Sequence, residues 1–125
     1  MDNSRYKFRA WDKTSKTMIQ NYAYVGSYGE LYVTQFHSEA YSDKRCPDLV
    51  LLQYTGRKDK DEKEIYEGDV IEGTLDNFSF PTMGVIVYDS YWSAYGNKNE
   101  AGFTLLHKIK NPKIIGNIYE NPELL

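Results

Sequence analysis

Apolar and polar residues alternate along much of the chain with a period of two, the spacing of a strand with one face buried. Tyr6-Lys7-Phe8-Arg9-Ala10-Trp11 is the first such run and predicts a strand with Tyr6, Phe8 and Ala10 towards the core. Residues 12–16 are a polar turn and Thr17-Met18-Ile19 resumes extended chain, so residues 8–19 read as a hairpin. Residues 22–25 and 30–36, parted by the glycine-punctuated stretch 26–29, read as a second hairpin. Residues 37–48 are weakly patterned and predict a short helix over 38–43 with Ser38 as its N-cap.

The pattern then sharpens. Leu49-Val50-Leu51-Leu52-Gln53-Tyr54 predicts a fully buried strand ended by Gly56, and residues 57–63 a charged loop. Glu64-Ile65-Tyr66 leads through a Gly68-Asp69 turn into a strand at Val70-Ile71. Residues 76–81 read as a loop carrying Phe78 and Phe80, 83–88 as a strand, 91–102 as irregular, and 103–109 as a strand. Asn111-Pro112 reads as a turn before a strand over 113–119, and 121–125 as one helical turn with Pro122 in its first position. Many short strands between turn signals predict an all-β fold with minor helix, a small barrel or sandwich with SH3-like elements. The 125 residues fit a single domain, 1–125.

Composition narrows the setting. The lone cysteine, Cys46, cannot pair within the chain, and the first ten residues carry no signal-peptide pattern, which points to a reducing cytosol. No apolar run approaches the roughly 18 residues that span a bilayer. The net charge is −3 with both signs interspersed, so no basic field for duplex DNA is visible in the sequence.

The 12 tyrosines suit half-buried strands and binding surfaces alike. Tyr88, Tyr91, Trp92 and Tyr95 form the densest aromatic group and are the candidate binding residues. They either cover a small core or present a contact surface. Stacked bases would want neighbouring cations and only Lys98 is close, so protein is favoured over single-stranded nucleic acid.

Other chemistry is thin. Asp59, Asp61, Glu62 and Glu64 offer oxygen ligands for a hard cation. The EF-hand pattern fails, however, with Glu64 at its glycine position and Val70 at its bidentate glutamate position, and Lys60 and Lys63 oppose a cation. His37 and His107 lack the company a metal centre needs, and Cys46 reads as a small structural residue. No nucleophile elbow, phosphate loop or dinucleotide fingerprint occurs. We therefore expect no enzyme, no metal and no cofactor. Trp11 beside Arg9 allows a cation–π contact or a self-association patch, or is an ordinary half-buried pair.

Three stretches resemble the YopX family: Lys7-Phe8-Arg9-Ala10-Trp11-Asp12 with Lys16-Thr17-Met18; residues 52–59 continuing into Glu64-Ile65-Tyr66-Glu67-Gly68-Asp69-Val70-Ile71; and the C-terminal Ile115-Gly116-Asn117-Ile118-Tyr119 through Leu125. Residues 20–48 and 75–111 depart from the pattern. The resemblance implies a phage or prophage origin and a β-rich fold, and carries no reaction with it. The expectation is an accessory protein acting by protein contact or self-assembly, plausibly a homo-oligomer and without membrane association. The alternatives are a single-stranded nucleic-acid-binding module and an enzyme whose pocket would have to gather titratable groups.

Overall fold

The computed structural model describes residues 6–20, 23–25, 27–28, 30–37, 40–45, 48–75 and 80–124. Three antiparallel sheets are present among them. In the first, the hairpin β1 (Phe8–Asp12) and β2 (Thr17–Ile19) pairs through β1 with β6 (Leu49–Lys58), which carries β7 (Glu64–Tyr66) on its other edge. The second is a meander of β3 (Ala23–Val25), β4 (Leu31–His37) and β5 (Ala40–Arg45). The third has the order β11-β10-β9-β8-β12, from β8 (Asp69–Leu75), β9 (Phe80–Asp89), β10 (Ala94–Asn99), β11 (Gly102–Leu105) and β12 (Ile109–Asn117). This sheet is open, with β11 and β12 at its edges. Its edge strands β11 and β12 are joined by a 3-10 turn, Leu106–Lys108, and not by a ladder.

The main apolar cluster is Ile65, Ile71, Ile86, Leu106 and Ile109, with Leu75, Tyr95 and Ile114 against it. Ala10, Leu52 and Tyr54 of the first sheet and Val70 of the third are buried as well, and the two sheets are in contact. That contact also holds a buried ion pair, in which an Arg9 guanidinium nitrogen donates to Asp69 Oδ1 at 2.5 Å. Asp69 Oδ2 accepts from Tyr66 N–H at 2.8 Å, and the Arg9 guanidinium lies 4.8 Å from the Tyr66 ring centre. Burial pushes the Asp69 carboxyl up, against the opposing pull of Arg9 and the Tyr66 N–H.

The strand map departs from the sequence reading at several points. Ala10 is buried and Phe8 half-buried as the alternation predicts, but Tyr6 is half exposed and Arg9 is buried too, because β1 meets Asp69 and Tyr66 through Arg9. Gly56 does not end β6; at φ 86° it sits in an irregularity between the Tyr54↔Tyr66 and Lys58↔Glu64 pairs, and the strand continues to Lys58. The helix expected over 38–43 is replaced by β5, drawn into a ladder with β4 from His37↔Ala40 to Tyr32↔Arg45.

Further differences lie in the third sheet. Phe80 and Pro81 begin β9 opposite Leu75 and Thr74, and much of the irregular stretch 91–102 is β10. The strand expected over 103–109 stops at Leu105, where the 3-10 turn intervenes. Asn111-Pro112 is a bulge inside β12, with Asn111 at φ 51°. Pro122–Leu124 is a 3-10 turn in place of an α-helical one. Phe78 and Cys46 lie outside the described residues, and so does the side chain of His37.

Candidate functional site

The four candidate aromatics come together at one end of the β9–β10 hairpin. Tyr88 pairs with Tyr95 across the ladder, and Asp89 with Ala94. The turn between them is organised by one carboxylate oxygen: Asp89 Oδ1 accepts from Tyr91 N–H at 2.9 Å and Trp92 N–H at 3.2 Å. Ser93 completes the turn at φ 50°. The Tyr91 and Trp92 rings meet edge to face with centres 5.3 Å apart and planes at 83°. Tyr88 and Tyr95 do the same at 5.3 Å and 66°.

Exposure divides the set. Tyr91 is 86% exposed, Trp92 56% and Tyr88 51%, whereas Tyr95 turns onto the apolar cluster. Burial, with Glu67 and Tyr88 nearby, pushes the Tyr95 phenol up to about 12. The group therefore divides: Tyr95 covers the core, and the other three are exposed. Positions 90–97 carry no charged side chain.

Next to this end lies a cleft of about 280 Å3 between β6, β9 and the turn after β12. Val50, Leu51, Val87, Tyr88, Ile118 and Tyr119 supply most of its wall. Glu67 also lines it, with Oε1 engaged by Gln53 N–H at 2.9 Å. Tyr88 belongs to both features, so ring knob and apolar cleft are continuous. The cleft could not be found by spacing, because its walls come from segments far apart in the chain.

Among the remaining sequence candidates Asp59 has a structural role. Asp59 is 4% exposed and turns inward from the β6–β7 loop. Its Oδ1 accepts from Asp61 N–H and Lys63 N–H, both at 2.9 Å, and its Oδ2 from Ile114 N–H of β12 at 3.1 Å. Burial opposes ionisation, yet these three N–H groups and the Lys63 charge hold the Asp59 carboxyl below its ordinary value. Asp61 and Glu62 stay exposed, and Glu64 takes Lys7 Nζ at 2.6 Å. Among the described residues no three His, Cys, Asp or Glu side chains gather as metal ligands. His107 is exposed on the 3-10 turn. Trp11 stacks on Tyr119 with centres 5.6 Å apart and planes at 30°, while Arg9 goes to Tyr66.

The family model for YopX protein matches residues 7–125, all three stretches singled out above included. The chain belongs to the YopX family. Its fold is similar to the crystal structure of protein EF1440 from Enterococcus faecalis, at 25% identity and TM-score 0.61, over 95% of this chain and 96% of that one. It is also similar in fold to protein yopX from Bacillus subtilis, at 17% identity and TM-score 0.66, over 94% of each chain. No curated protein matches the chain. Among the described residues of this YopX-family chain, no helix is long and apolar enough to cross a membrane.

Proposed function

We propose that this YopX-family chain is a phage or prophage accessory protein that works without catalysis in the host cytoplasm, by self-assembly through the β9–β10 hairpin end. One observation carries the reading: Tyr91 and Trp92 project as a paired, exposed knob beside an apolar cleft on the same molecule. Knob and cleft are adjacent, so two copies can exchange knobs about a two-fold axis and close the contact.

Magnitudes support reciprocity. Burying two such rings gives less than about 10 kcal/mol at roughly 25 cal/mol per Å2. Association itself costs about 4–15 kcal/mol, so one inserted knob is marginal and two are not. Positions 90–97 bring no charge to the contact, and the neighbouring Asp89 and Glu67 carboxylates are each engaged by backbone N–H groups.

Sedimentation velocity on the full chain tests this. The expected result is a dimer at about 100 μM, a concentration at which even modest interfaces fill, and a monomer for the Tyr91→Ala, Trp92→Ala double variant. A wild-type protein that stays monomeric at that concentration ends the reading.

A further inference from the structure

A second concavity, of about 430 Å3, lies where the β6–β7 loop meets the kink in β12. Its making begins with backbone. Along β8 and β12 the register runs Lys110↔Thr74 and then jumps to Lys113↔Glu72, so Asn111 and Pro112 together oppose Gly73. A Cβ at Gly73 would stand 2.5 Å from Ile109 Cγ2 and 2.9 Å from the Lys110 carbonyl oxygen, so only glycine lets the bulge lie this close. The β6–β7 loop is then tied to the bulge by Lys60 N–H donating to the Pro112 carbonyl at 2.7 Å, and by Asp59 bonding Ile114 N–H.

These ties bring Lys60, Lys110 and Lys113 to one rim, from a loop and from both sides of a bulge. Glu72 is the one acid among the residues lining it. Lys110 is already engaged elsewhere, and Lys60 and Lys113 set two ammonium groups against that carboxylate, a local excess of positive charge on a chain of net charge −3. Thr74 adds a hydroxyl, and Pro81 with the 45% exposed Met83 adds an apolar shelf, while the Thr82 hydroxyl is turned to the buried Asn97 amide at 3.2 Å.

We propose that this pocket binds a small phosphate-bearing ligand, with the lysines neutralising its oxygens. A monocarboxylate presents its charge to one side. A phosphate or diphosphate presents several oxygens in several directions, which suits cations arriving from separate segments. The volume falls in the range of small-ligand sites. The shelf is placed for a flat apolar group attached to the phosphates, as in a nucleotide. None of this depends on the hairpin end.

Isothermal titration of the full chain at low ionic strength, with inorganic pyrophosphate and separately with a nucleoside diphosphate, tests the site. Both probes are expected to bind, and to bind more weakly as salt is raised. Lys60→Glu and Lys113→Glu should each weaken binding roughly tenfold or more, and Lys113→Gln less. Lys13→Glu, on the β1–β2 turn, and the Tyr91→Ala, Trp92→Ala variant should bind as wild type does. Tighter binding of the nucleotide would identify the shelf as part of the site; equal binding would identify the phosphates as the whole ligand. No heat from either probe at millimolar concentration, or affinities unchanged by both lysine reversals, would overturn the proposal.

Discussion

Two hairpin ends of this molecule are built by the same device and put to opposite use. At the β6–β7 end Asp59 gathers the loop by accepting from Asp61 and Lys63, and at the β9–β10 end Asp89 gathers the turn by accepting from Tyr91 and Trp92. The first loop is the more charged in sequence, yet its carboxylate is buried and bonded to β12. The second is uncharged and aromatic beyond Asp89, yet it projects into solvent. Side-chain polarity alone does not decide which loop is structural. What decides it is whether the capping carboxylate has a further buried partner in another strand.

The comparison can be broken by experiment, most forcefully at Asp59. Asp59→Ala takes the acceptor from the half-buried Ile114 N–H and unties the loop from β12, and should cost about 2 kcal/mol, read as a lower urea midpoint at unchanged slope. Gly73→Ala, which forces β12 away from β8 beneath the same loop, should cost about 2 kcal/mol in the same assay. Asp89→Ala should cost only about 1 kcal/mol, because the N–H groups it frees can turn to water. The Tyr91→Ala, Trp92→Ala variant should stay within about 0.5 kcal/mol of wild type while losing self-association. Equal losses at Asp59 and Asp89 would show the two ends to be alike after all.

Acid titration sharpens the contrast. The Asp59 carboxyl is held below its ordinary value of 3.8 in the folded chain, so its contribution is present above that pH and fades as pH falls through the folded value. Asp69, pushed up by burial, acts with the opposite sign: its contribution is full below 3.8 and fades as pH rises through its folded value. Asp59→Asn should therefore show a smaller drop in urea midpoint than wild type between about pH 5 and pH 2.

Much of the all-β architecture was legible in the sequence, and the strongest strands were the most legible. Leu49–Tyr54, the first part of β6, reads as a strand from its apolar run, and residues 83–88, the greater part of β9, read as a strand as well. The aromatic group was legible as a candidate because its members are close in sequence and meet across one hairpin. Three kinds of feature were not. β5 and β10 are polar strands held by their ladders, so periodicity is weak in both. Asn111-Pro112 has turn chemistry that a bulge uses equally well. The inward turn of Asp59 and the meeting of Lys60 with Lys113 depend on a loop crossing to a strand some fifty residues later, which no local pattern encodes.

The stacking of Trp11 on Tyr119 has a kinetic consequence. Trp11 and Tyr119 lie far apart in sequence, and beside them Ile118 N–H closes on the Gly68 carbonyl at 2.9 Å. Closing so long a loop costs entropy that a local pair such as the β1–β2 hairpin does not incur. This contact therefore belongs to the slow, non-local part of folding, and the Trp11 ring stays uncovered until that part is complete.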